Sequence, residues 1–246
     1  MSLPTTPKTW TKTAERPLRS TRNALGVWLF AHLMGVPVPW RAIHQTDGAA
    51  LLAYEHQRLV ALAALGEHVP PVLGFDGQRL VTGDVGTTVE HLLHRIPEAD
   101  RLSLMCAAAA DLAGFHARGH WHGGAQARNL TWDGQRFSRL DFEECLHPPL
   151  PLQTVQLYDA LQLVMSLARF LEPLGSRAVF DVLQAYRKEG RGQPDLAAFV
   201  RRLLPRLQWI SRLASWSTRL DGSREVIRLR TVLAGMQDFV DAARLR

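Results

Sequence analysis

Hydrophobic positions along the chain change their period several times. From Ala49 to Leu65, apolar residues fall at Leu52, Leu59, Leu62 and Leu65, the spacing of one helical face, and Gly66 supplies a stop. The pattern then shortens. Pro71–Gly77 and Gln78–Gly86 read as two short strands around a turn at Asp76-Gly77. Thr87 or Thr88 is placed to cap a helix carrying Val89, Leu92 and Leu93. From Asp100 the spacing is helical again, with Met105, Ala108, Leu112 and Phe115 on one side and Gly119 at its end. An irregular stretch with a hairpin signal at Asp133-Gly134 follows. Another helix is predicted from about Thr154 to Leu171, through Val155, Tyr158, Leu161, Met165 and Ala168. The remainder predicts two or three more helices, divided at Gly190-Arg191-Gly192 and at Asp221-Gly222. Strands and one helix come first and helices last, which is an α+β order.

A chain of 246 residues can bury a full core, as one large domain or two lobes around a cleft. Its most apolar run, Ala24–Met34, is interrupted by His32 and closed by Pro37 and Pro39, well short of the ~20 residues that span a bilayer. The N-terminal residues M-S-L-P-T-T-P-K-T-W lack the apolar core of a signal peptide. The two cysteines, Cys106 and Cys145, cannot make a disulfide scaffold and have no base beside them. The expectation is a soluble, cytoplasmic protein, with contact at the inner face of a membrane left open.

Charge changes the picture in the last third. The net charge is +6, but residues 1–176 hold 15 basic and 16 acidic side chains, whereas residues 177–246 hold 14 basic and 7 acidic. A positive C-terminal third suits an anionic small molecule, a glycolipid or a membrane surface; the plain alternative is a solvated arginine face. Arg201, Arg202, Arg206 and Arg212 recur at helical spacings beside Phe199, Leu203, Leu204, Leu207 and Ile210. No aromatic stacking platform is read among these arginines, so nucleic acid is not expected as a partner.

The candidate chemistry lies in His122–Glu144, H-G-G-A-Q-A-R-N-L-T-W-D-G-Q-R-F-S-R-L-D-F-E-E. His122 and Asn129 are seven residues apart and Asn129 and Asp141 twelve, the order and spacing of the kinase template H-R-D-x-x-x-x-N followed by D-F-G. The third template position is Gly124. The segment resembles the protein-kinase-like superfamily, above all its small bacterial members: lipopolysaccharide-core kinases, Bud-type KEOPS kinases and aminoglycoside phosphotransferases. These write the loop H-G-D-x-x-x-x-N and the metal strand I-D-F, here His122-Gly123-Gly124 through Asn129 and Leu140-Asp141-Phe142. With the E-x-x-x-L helix at Glu55, the likeness covers roughly residues 49–171.

The resemblance implies a two-lobed fold, with a small N-lobe at 1–86 and a helical C-lobe at 87–246 that carries the catalytic-type loop 122–129 and the metal strand 137–143. It implies an ATP- and Mg²⁺-dependent phosphotransferase, or else a pseudokinase that binds nucleotide or serves as a scaffold. Asp141 and Asn129 would hold the metal, since Mg²⁺ prefers hard oxygen ligands. His122 would pack the loop, Asp159 would accept its backbone N–H groups, and Gly83-Asp84-Val85 would meet the adenine. The phosphate-gripping lysine would be Lys12, in Trp10-Thr11-Lys12, paired with Glu55. That separation of 43 residues requires an inserted helix over Ala24–Val36. No G-x-G-x-x-G loop is present. With Gly124 lacking a carboxylate, Gln126 is a candidate to orient a substrate hydroxyl and Glu143 or Glu144 to supply an acid. His116, His120 and His122 form an H-x-x-x-H-x-H run that zinc could use, though Gly119 should break the helix between them.

Overall fold

A computed structural model describes residues 8–14, 21–190, 195–215 and 222–244. The fold is α+β and mainly helical, with two small antiparallel sheets. Strand β1 (Thr9–Thr13) is followed by α1 (Thr21–Leu33), the short α2 (Trp40–Ile43) and α3 (Gly48–Ala64). Strands β2 (Val72–Phe75), β3 (Arg79–Gly83) and β4 (Thr87–Thr88) come next, then α4 (Val89–Arg95) and α5 (Glu98–Ala117). A 3₁₀ turn at Ala127–Asn129 leads into β5 (Leu130–Trp132) and β6 (Phe137–Arg139). Helices α6 (Leu152–Leu171), α7 (Ser176–Glu189), α8 (Leu196–Ser215) and α9 (Arg224–Arg244) complete the described chain. Of the predicted helix separators, Arg191, Gly192 and Asp221 lie outside the described residues.

The first sheet has the order β1-β3-β2. Lys12 pairs with Leu80 and Thr9 with Gly83, so β1 crosses the sequence from one end of the chain to lie on the β2–β3 hairpin. That hairpin turns at Gly77 (φ +85°), where Asp76 accepts the N–H groups of Gln78 and Arg79 at 2.8 and 2.6 Å. Asp47 starts α3 by accepting from Ala49 and Ala50, both at 3.0 Å, and Gly66 (φ +80°) ends it. Leu52, Leu59 and Leu62 are buried on its inner face, whereas Leu65 lies past the last turn and is exposed.

The second sheet has the order β4-β5-β6, and the loop 122–126 leads into it through the 3₁₀ turn before β5. Thr88 has two tasks: it pairs with Thr131 and caps α4 by accepting from His91 at 3.3 Å. Gly86 is held so close to Trp132 that a Cβ there would lie 2.6 Å from its carbonyl oxygen. Strand β6 stops at Arg139 and does not run on to residue 143, because Asp141 adopts φ +68°, a conformation that a ladder cannot contain. Helix α6 is buried along most of its length, and α5, α7 and α9 pack around it.

Candidate functional site

Burial fixes the loop before any chemistry is considered. Asp159, in the middle of α6, is fully buried and accepts from the backbone N–H groups of His122 (2.7 Å) and Gly123 (2.8 Å). Its third neighbour is His116 Nε2, at 3.4 Å. Gln162, one turn further along α6, donates to the Gly123 carbonyl at 3.0 Å, and Gln156 donates to the carbonyls of His116 and His120. Ser166 Oγ accepts from Ala127 N–H at 3.0 Å. A polar row spaced along α6 therefore holds a loop that has little secondary structure of its own.

His122 links this loop to the next segment. It is buried, which pushes its pKa down to about 4, so the ring is neutral. Nδ1 accepts from Gly124 N–H at 3.0 Å, which leaves Nε2 to donate to the Leu140 carbonyl at 2.8 Å. The ring lies 4.5 Å from that of Phe142. His122 thus grips both sides of Asp141 without touching its carboxylate. The three histidines are not a metal cluster. His116 bonds Tyr186 (2.6 Å) and faces Asp159, His120 lies 3.3 Å from Glu67, and His122 points to Leu140.

Lys12 is where distant parts of the sequence meet. Its ammonium lies 2.8 Å from Glu55 Oε2 on α3, 2.8 Å from Asp141 Oδ1, and in direct contact with Glu143. The three carboxylates lie within 4.8 Å of one another, with one lysine among them. Burial works against the Lys12 charge, but Asp141, Glu55 and Glu143 more than offset it and hold its pKa above the usual lysine range. Burial raises Glu55, and Lys12 only partly offsets it. Asp141 stays below the usual carboxylate range because Lys12 overcomes its burial. Glu143 takes the remaining strain: burial and the neighbouring Asp141 push it up to about 7.

This cluster stands at one end of a cleft of about 320 Å³. Leu59, Pro70, Leu80 and Leu140 give it apolar walls, and Gly83, Asp84 and Val85 line another side. The Gly83 and Asp84 N–H groups donate to Pro71 and Lys8 carbonyls (2.9 and 3.0 Å), and the Val85 carbonyl accepts from Thr131 at 2.9 Å. These three residues therefore tie β1, β2 and β5 together at the cleft edge.

Asn129 and Gln126 belong to the loop and 3₁₀ turn that lead into β5. Asn129 Nδ2 donates to the Gly124 carbonyl at 2.9 Å, which turns its amide oxygen away from that bond. Gln126 lines a separate cavity of about 410 Å³ with Arg128 and Glu144, walled by Gly26, Val27 and Phe30 of α1. Gly124 is buried, and a Cβ placed on it would meet nothing nearer than Asn129 Nδ2 at 3.5 Å. The contact of Glu143 with Lys12 is absent from the sequence reading, which sets Glu143 only among acids for the loop; its position two residues after Asp141 was the available signal. The bracing glutamines of α6 carry no such signal. Compared with models of known protein families and with curated proteins, the chain matches none.

Proposed function

We propose that the protein is an atypical kinase-like phosphotransferase that binds ATP with Mg²⁺, with residues 1–86 as a small N-lobe and 87–246 as a helical C-lobe. The observation that carries this reading is the meeting of Lys12, Glu55 and Asp141 at the polar end of an apolar-walled cleft. The apolar walls suit a flat base, and the polar end suits phosphates. Glu55 holds Lys12 so that its ammonium faces phosphate oxygens. Asp141, with Glu143 and the amide oxygen of Asn129, would offer the hard oxygens that Mg²⁺ prefers, and the Asp141 and Glu143 carboxylates lie within 4.8 Å of each other. When bound, the ion supplies positive charge that stabilises the transferring phosphoryl group. His122 and Asp159 aim this apparatus but do not react. An acceptor hydroxyl would be oriented by Gln126 and would lose its proton to solvent, since Gly124 offers no carboxylate. A missing base costs on the order of 10²–10⁴-fold, so turnover is slow. The basic C-terminal third favours an anionic acceptor, such as a lipopolysaccharide-core sugar.

The test is thermal. Saturating Mg-ATP should raise the melting temperature, because a ligand at 100 times its Kd adds about 2.7 kcal/mol. Asp141→Asn, which tolerates the positive φ, should abolish the shift while leaving the protein folded. An unchanged wild-type melt at millimolar Mg-ATP overturns nucleotide binding. One observation favours the second reading, a pseudokinase: the side chain missing at Gly124. A Cβ is tolerated at Gly124, and Gly124→Asp should raise phosphoryl transfer. Turnover that stays at background while ATP still binds would decide for the pseudokinase.

A further inference from the structure

We infer that the protein docks on anionic lipid bilayers through the exposed faces of α8 and α1. This inference does not depend on the phosphotransferase reading. Helix α8 has no acidic residue in its twenty positions. Its buried side is Leu203, Leu204 and Leu207, and its exposed side is Arg201, Arg202, Pro205, Arg206, Trp209, Arg212 and Leu213. At 100° per residue these seven positions cover an arc of roughly 140°. Among the described residues, none of the four arginines forms an ion pair, so their charge is available to an external partner. Trp209 is 62% exposed and sits between Arg206 and Arg212. Helical spacing puts Trp209 among the arginines, and the structure shows its ring uncovered.

Helix α1 adds the second half of the surface. Leu25, Leu29 and Leu33 recur every four residues and stand 45–47% exposed, a leucine ridge left partly open among the described residues. The end of α1 meets α8 at Gly35, beside which the Arg206 guanidinium packs, and Met34, Gly35, Arg202 and Arg206 line one small cavity. The leucine ridge therefore ends against the arginine face.

The combination selects the partner. A nucleic-acid backbone would satisfy the arginines but gains nothing from uncovered leucines. An apolar protein groove would cover the leucines but not four unpaired cations. An anionic bilayer answers both: its headgroups take the arginines, the interface takes the indole of Trp209, and the acyl region beneath takes the leucines.

Co-sedimentation with vesicles tests this on the full chain. Wild-type protein should bind phosphatidylcholine vesicles containing phosphatidylglycerol and should not bind pure phosphatidylcholine. Binding should fall steeply with salt, as the Debye length drops from ~10 Å at 0.1 M to ~3 Å at 1 M. Arg201→Ala with Arg202→Ala should weaken it about 25-fold, at about fivefold per arginine. Leu25→Ser with Leu29→Ser should weaken it several-fold without changing the melt, because both side chains are exposed. Equal binding to neutral and anionic vesicles, or none to either at low salt, overturns the inference without any variant. It also fails if the leucine pair has no effect and a DNA duplex competes as well as the vesicles, which would make the face a general polyanion site.

Discussion

Replacing Glu143 by Gln should stabilise the protein at pH 8, although Glu143 touches a lysine. One ammonium serves three carboxylates, so the cluster carries excess negative charge that burial does not tolerate. Glu143 bears most of the cost, since burial and Asp141 lift its pKa from an ordinary 4.5 to about 7. A raised carboxyl pKa means that the folded state holds a proton the unfolded chain has already released. Stability linked to this group is therefore full below about pH 4.5 and is lost as pH rises to about 7. At 1.36 kcal/mol per tenfold, the loss is about 3 kcal/mol at pH 8. Glutamine removes the charge but also one partner of Lys12, and the net gain should be about 1–2 kcal/mol. For a chain of this size, that is about 2–8 °C in melting temperature.

The assay is a pair of melts, wild type against Glu143→Gln, at pH 5 and pH 8 in the presence of a chelator. At pH 5 the two should agree closely, because wild-type Glu143 is already protonated when folded. At pH 8 the variant should melt higher. A variant that is equally destabilised at both pH values would refute the reasoning, for it would mean that the Glu143–Lys12 contact is a net-favourable ion pair and that the charge count is irrelevant.

The opposite perturbation should have the opposite sign. Lys12→Met leaves Glu55, Asp141 and Glu143 facing one another, which should cost about 3 kcal/mol at pH 8, the low end for a broken buried pair because Lys12 is partly exposed. Urea midpoints should show that cost shrinking towards pH 5 as the carboxylates take up protons. Away from the cleft, Gly235 on α9 packs so closely on α7 that a Cβ would lie 2.4 Å from the Ser176 carbonyl oxygen and 2.5 Å from Val179 Cβ. Gly235→Ala should therefore lower the urea midpoint by about 1–3 kcal/mol of overpacking, with the cleft ion pairs unchanged; a neutral substitution would mean that α7 and α9 can slide apart freely.

The helices were legible because their signals are local. The face Met105, Ala108, Leu112 and Phe115 of α5 is buried throughout, and Gly119 carries the positive φ its position implied. The hairpins at Asp76-Gly77 and Asp133-Gly134 were legible for the same reason, since Asp side chains and glycine specify those turns within four residues. Thr88 was legible as a cap but not as a strand, because pairing with Thr131 is decided 43 positions away. Trp209 was missed on the arginine face of α8, although its place three residues after Arg206 and three before Arg212 puts it there by helical spacing alone.

The site shows where local reasoning stops. Spacing alone relates His122, Asn129 and Asp141, but it cannot say that Asn129 bonds the Gly124 carbonyl while Asp141 faces Lys12. That division follows from one dihedral angle. With φ at +68°, Asp141 leaves the line of β6, so the chain turns just after Leu140, the residue whose carbonyl His122 holds. A continued strand would alternate side chains, sending residues 141 and 143 to one face and 142 to the other. The turn keeps that alternation but redirects it, so that the Asp141 and Glu143 carboxylates surround one ammonium while Phe142 is buried beside His122. A buried neutral histidine, an aspartate tolerant of positive φ and an apolar ring between two acids are each ordinary in a sequence. Only together do they aim two carboxylates at a lysine brought in from the far end of the chain.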